Sequence, residues 1–131
     1  MLAEVLDDPS PLVRKDAVAA LGRIAGPSAE NLIVMALRDE DPSIRVEAAS
    51  TLGDRRDKGL GAVPEDTVCA RLADLLLDES ADVRVVTASV LQSLTRYDFA
   101  GVDWRDGEAV WREAAAEKFA DWLSRGRPSG E

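Results

Sequence analysis

The sequence contains no histidine and a single cysteine, Cys69, among 131 residues. Without histidine there is no Ser-His or Cys-His nucleophile pair, no haem held by imidazole and no His-containing zinc site. Without a second cysteine there is neither a disulfide nor a CxxC redox pair, and the lone thiol fits a reducing compartment, so a cytoplasmic location is expected. Basic charge is also scarce. Sixteen Lys and Arg stand against 25 Asp and Glu, a net charge of −9, which argues against a nucleic-acid backbone or an anionic membrane as the main partner. No apolar stretch approaches the roughly 20 residues of a membrane span, and Met1–Leu6 lacks the basic flank of a secretory signal. What remains is 46% hydrophobic and 31% charged residues, the balance of one soluble globular domain.

The chain repeats itself. An apolar-Arg pair recurs as Val13-Arg14, Ile44-Arg45 and Val83-Arg84, and seven residues after each Arg stands a Leu: Leu21, Leu52 and Leu91. An acidic turn precedes each pair, containing Asp8-Pro9-Ser10, Asp41-Pro42-Ser43 and Asp78-Glu79-Ser80. The spacing from Arg14 to Arg45 is 31 residues and from Arg45 to Arg84 is 39. The extra residues fall in Asp54–Pro64, which reads as a loop insertion. Such self-similarity is the signature of a stacked repeat architecture.

Each copy reads as two helices. Leu32, Ile33, Ala36 and Leu37, and later Val68, Leu72, Leu75 and Leu76, follow helical spacing upstream of the turns. Downstream, Val13, Ala17, Ala20, Leu21 and Ile24 form one apolar stripe, repeated by Ile44, Ala48 and Leu52 and by Val83, Thr87, Val90, Leu91 and Leu94. Ser10, Ser28 and Ser43 are candidate N-caps, and Pro11 suits a first helical position. No segment carries a strand pattern. Ala17, Ala20, Ala48 and Ala49 are small enough for close helix approach.

The Asp-Pro turn, the Val-Arg-x-x-Ala string and the Leu-Gly pair resemble a HEAT repeat of the short bacterial PBS-lyase HEAT-like kind, over about residues 2–95. The resemblance implies an all-α fold: an α-solenoid, a right-handed superhelix of about three helix pairs at about 2–25, 28–53 and 65–95. It also implies a ladder between neighbouring repeats, Arg14, Arg45 and Arg84 against Asp8, Asp41 and either Asp78 or Asp82, making these residues structural. Function is left open, since such arrays are mostly binding scaffolds. Some similar proteins are enzymes. Deoxyhypusine hydroxylase needs His-Glu metal motifs, absent here; DNA glycosylases need a basic cleft. A bilin lyase is the remaining enzymatic alternative, with Cys69 on an apolar helix expected to be buried.

All six aromatic residues lie after Thr95. Residues 95–104 read as an ordered loop and Glu108–Arg125 as a helix, with Trp111, Ala115, Phe119 or Lys118, and Trp122 near one face. Stacked repeats need a cover at their end, so 96–125 is expected to be a Trp-rich cap, completing one domain over 1–125 before a flexible tail at 126–131. The opposite end has less than two turns of helix before Asp7. That edge is expected to dock on another protein or a second copy, unless the chain is part of a longer array.

Two surfaces are candidates for partner binding. The second helices would line the concave face, where Lys15, Val46 and Val85 align, then Ala19, Ser50 and Ser89, then Arg23, Asp54 and Ser93. The insertion carries three bases against two acids while every other part of the chain is acidic, so Arg55, Arg56 and Lys58 are candidate contacts on a long loop. The expected function is a non-catalytic scaffold or adaptor for another protein, one with a basic patch matching the acidic surface; the alternative is a subunit of a larger assembly. No cofactor, metal, nucleic acid or membrane insertion is expected.

Overall fold

The computed structural model describes residues 5–99 and 101–125. Expectations that fall on the first four residues and on the tail at 126–131 therefore lie outside the described residues. Within them the chain is all-helical. Six α-helices run in order: α1 Pro11–Leu21, α2 Pro27–Ala36, α3 Pro42–Asp57, α4 Glu65–Ala73, α5 Ala81–Thr95 and α6 Ala109–Ser124, with a 3-10 turn at Asp74–Leu77 continuing α4. Helices α1, α3 and α5 are the second helices of the three repeats. They pack side by side, α3 most extensively against α5, while α2 packs on α1 and α3, and α4 on α5. This is the α-solenoid.

The local sequence explains where α1, α2 and α3 begin. Pro11, Pro27 and Pro42 occupy first helical positions, where a missing N–H costs nothing. Ser10 caps α1, its hydroxyl accepting from the Val13 amide. Asp41 caps α3 through the Ser43 amide at 2.8 Å, so Ser43 is not the cap, and α2 starts from Gly26 at φ 106° instead of Ser28. The core follows the predicted stripes in α3 and α5, whereas Val13, Ala20 and Ile24 of the first stripe are exposed. Leu21, Leu52 and Leu91 are buried, as are Ile33, Ile44, Leu72, Leu76 and Val83, and each such side chain stabilises the fold by roughly 2 kcal/mol through burial.

Two expectations about elements are corrected. Helix α3 continues through Asp57, so the insertion is shorter than Asp54–Pro64 and begins after the helix. Its remainder is mostly exposed but anchored, because Val63 is buried in the core. The C-terminal helix packs on α4 and the 3-10 turn through Phe119, which is fully buried, with Ala115, Trp122 and Leu123 beside it. Tyr97 stands edge-on to Phe119 at 5.1 Å and 4.9 Å from Trp122, and Phe99 meets Trp104 edge-on at 5.2 Å. Trp111 does not join this cluster: it is 66% exposed.

Candidate functional site

The turns before α1, α3 and α5 share one geometry. In each, an Asp carboxylate accepts from the backbone N–H two residues on: Asp8 from Ser10, Asp39 from Asp41, Asp78 from Ser80, at 2.8–2.9 Å. In each, the carbonyl of that Asp accepts from the Arg six residues on: Arg14 at 2.6 Å, Arg45 at 2.7 Å and Arg84 at 2.8 Å. The equivalent acids are thus Asp8, Asp39 and Asp78. Asp41 is a cap, and matching it to Asp8 through the shared Asp-Pro-Ser string is two residues out of register.

The same guanidiniums reach the following repeat. Arg14 holds Asp39 with two nitrogens, at 2.9 and 3.2 Å, and Arg45 donates to Asp78 at 2.9 Å. The hydrogen bonds to Asp39, ahead of an opposing effect of burial, hold the Arg14 guanidinium above its usual range. Amide and hydroxyl donation from Ser43 keeps the Asp41 carboxyl below its own. Arg84 has no following turn of this kind and donates instead to the carbonyls of Trp104 at 2.6 Å and Arg105 at 2.8 Å. Asp82, expected as its partner, forms an exposed pair with Arg105. The 103–106 turn repeats the motif in part, since Asp103 accepts from the Arg105 and Asp106 amides.

Arg55 and Arg56, expected on an accessible loop, point inward. Arg55 is 1% exposed. It donates to Glu30 at 3.1 Å, to the Leu21 and Ile24 carbonyls at 3.0 and 2.6 Å, and to Leu60 at 3.3 Å. Arg56 donates to Glu30 and to the Val63 carbonyl. Glu30 has no exposed surface and also accepts from the Val63 amide at 3.1 Å. Burial alone would push its carboxyl up. The Val63 amide and the two guanidiniums outweigh that, leaving it below its usual value. This cluster ties the α1–α2 connection, α2, α3 and the insertion together. Of the three cations, Lys58 alone is exposed.

The face of α1, α3 and α5 has the composition expected from the alignment. Lys15 is exposed, Val46 and Val85 are half-buried against the core, and Ser89 is exposed. Two grooves flank α5. One, of about 390 Å³, lies toward α3, with Val86 and Val90 below and the exposed Asp54 and Asp57 at its rim. The other, of about 810 Å³, lies toward residues 101–105, with Trp104, Gln92, Arg96 and Arg105 around it. Val85, Ser89 and Ser93 line both. No sequence signal marked the second groove, because its far wall is an irregular loop.

At the N-terminal edge Val13 is 38% exposed, whereas its counterparts Ile44 and Val83 are fully buried; Leu12 and Ile24 are exposed beside it. Cys69 is fully buried. Among the described residues no group of three or more His, Cys, Asp or Glu is placed to hold a metal ion, and no helix is long and apolar enough to cross a membrane. The family model for HEAT repeats matches residues 1–95, the same stretch over which the turn, the Arg strut and the Leu recur, and the chain belongs to the HEAT-repeat family.

Proposed function

We propose that this chain is a non-catalytic, cytoplasmic protein-binding module that presents the face of α1, α3 and α5, with the adjoining C-terminal loop, to a protein partner. The observation that supports this most is the division of labour among its polar groups. The repeated arginines, Glu30, Arg55 and Arg56 are committed to internal bonds, and the one thiol is buried, so none of them is available for chemistry. The face they support carries two grooves along α5, small hydroxyls and half-buried valines. HEAT repeats are commonly interaction scaffolds, and the family match fits that use. The net charge of −9 and the rim acids Asp54 and Asp57 favour a partner whose docking surface is basic overall.

Native co-purification of the tagged chain from its source tests this reading. The expected result is one protein partner in stoichiometric amount, released by high salt in proportion to its charge contacts. A bound chromophore or other small molecule with turnover, and no protein partner, would replace it with the enzymatic alternative.

A further inference from the structure

We propose that the groove between α5 and residues 101–105 is a docking slot for a peptide segment of the protein partner that presents one carboxylate to Arg96; this rests on the protein-binding reading above. Arg96 closes α5 in the left-handed region, at φ 64°, the one non-glycine residue with positive φ among those described. Helix ends of this type favour glycine or asparagine, so arginine holds the position at a cost in strain. Its backbone N–H is satisfied by the Gln92 carbonyl. No described residue provides its guanidinium with a hydrogen bond or ion pair, in a chain where acids outnumber bases by nine.

The groove around it is built before any ligand arrives. Arg84 pins the far wall through the Trp104 and Arg105 carbonyls, Asp103 fixes the turn through two amides, and the outer guanidinium of Arg105 is engaged by Asp82. The Asp103 carboxyl is held below its usual range by the Asp106 and Arg105 amides, so it stays ionised and holds both amides of the turn. Arg96 is the cation of this slot that no described residue engages, with Gln92, Ser89 and Ser93 supplying hydrogen bonds and Trp104 and Val85 apolar contact. A planar guanidinium beside a preformed wall matches a carboxylate with two parallel hydrogen bonds. The acids Asp54 and Asp57, in the adjoining groove, set the rest of the segment as neutral or basic.

The test pans a phage-displayed library of random linear peptides against the full chain and measures selected peptides by fluorescence anisotropy against wild type, Arg96→Gly and Arg96→Lys. Selected peptides are expected to share one Asp or Glu at a fixed place in a neutral or basic remainder. Arg96→Gly should weaken them at least tenfold while raising the melting temperature by about 2–4 °C as the strain is removed. Arg96→Lys should recover part of the affinity. Peptides without a shared acid, equal binding to Arg96→Gly, or no enrichment at all overturns the proposal. A native partner held equally well by Arg96→Gly also overturns the slot while leaving the binding module intact; absence of any native partner removes the module itself.

Discussion

Arg45 donates one nitrogen to the Asp78 carboxylate at 2.9 Å and another to the Asp39 carbonyl at 2.7 Å. A single side chain thus closes the turn of its own repeat and fastens the turn of the next. Both side chains of the Arg45–Asp78 pair are about nine-tenths buried. Desolvation offsets much of the attraction, so the pair gives register more than net stability. Removing one member leaves the other charge without its partner.

Arg45→Ala is accordingly expected to lower unfolding stability by about 3 kcal/mol in urea titration. The register of the ladder can be read from two further variants. Asp39→Ala should destabilise clearly more than Asp41→Ala, because Asp39 carries the inter-repeat bond to Arg14 and Asp41 only a helix cap. The reverse order would place the struts on the Asp-Pro-Ser strings.

The Glu30 cluster predicts a sharp contrast within one run of charge. Glu30→Ala leaves two inward-facing guanidiniums unpaired and is expected to cost about 4 kcal/mol, a large part of the stability of a domain this size. Arg55→Ala should cost a comparable amount by orphaning Glu30 and several carbonyls. Lys58→Ala, on the exposed side, should stay within about 0.5 kcal/mol. Chemical denaturation of the three variants separates a structural knot from a solvated loop.

Glu30 also sets a pH dependence. Its folded-state carboxyl lies below the ordinary value of 4.5, so between those two values the unfolded chain binds more protons. The contribution is fully present above about pH 4.5 and is lost as pH falls through the lower, folded value. The urea midpoint should therefore fall on acidification below pH 4.5. Glu30→Gln should be less stable at pH 7 and show a flatter profile over that range. A profile as steep as wild type would assign the acid sensitivity elsewhere.

The cap offers a test of which face of α6 is buried. Phe119 is fully buried among Tyr97, Phe99 and Trp122, so Phe119→Ala is expected to cost about 4 kcal/mol. Trp111→Ala should leave the melting temperature nearly unchanged. In acrylamide quenching, loss of Trp111 should remove the most accessible part of the emission, since Trp104 is buried.

The second helices were legible because their order is local: one Arg, a Leu seven residues later and small residues between them repeat with little change. The spacing of 31 from Arg14 to Arg45 also held the correct register of the acids, placing Asp8 opposite Asp39. A more conspicuous Asp-Pro-Ser match hid it. Glu30 carried no local signal, since an acid in the first turn of a helix ordinarily answers the helix dipole. Its partners lie 25 to 33 residues away. Arg55 and Arg56 looked like a loop because their partners are mostly carbonyls, which composition does not reveal. Periodicity put Trp111 and Trp122 near one face, yet it does not tell whether a neighbouring element stands opposite that turn of the helix. The groove beside Arg96 was illegible for a related reason: one wall is helix and the other is loop.

Hydrogen–deuterium exchange of the full chain, alone and with the co-purified partner, tests most directly that the face of α3 and α5 is where this scaffold binds. Added protection is expected in peptides covering the exposed side of 46–57, 85–96 and residues 101–105, with α2 and α4 unchanged. Protection confined to α2, α4 or the outer side of α6, with the α3 and α5 peptides unaffected, would contradict it.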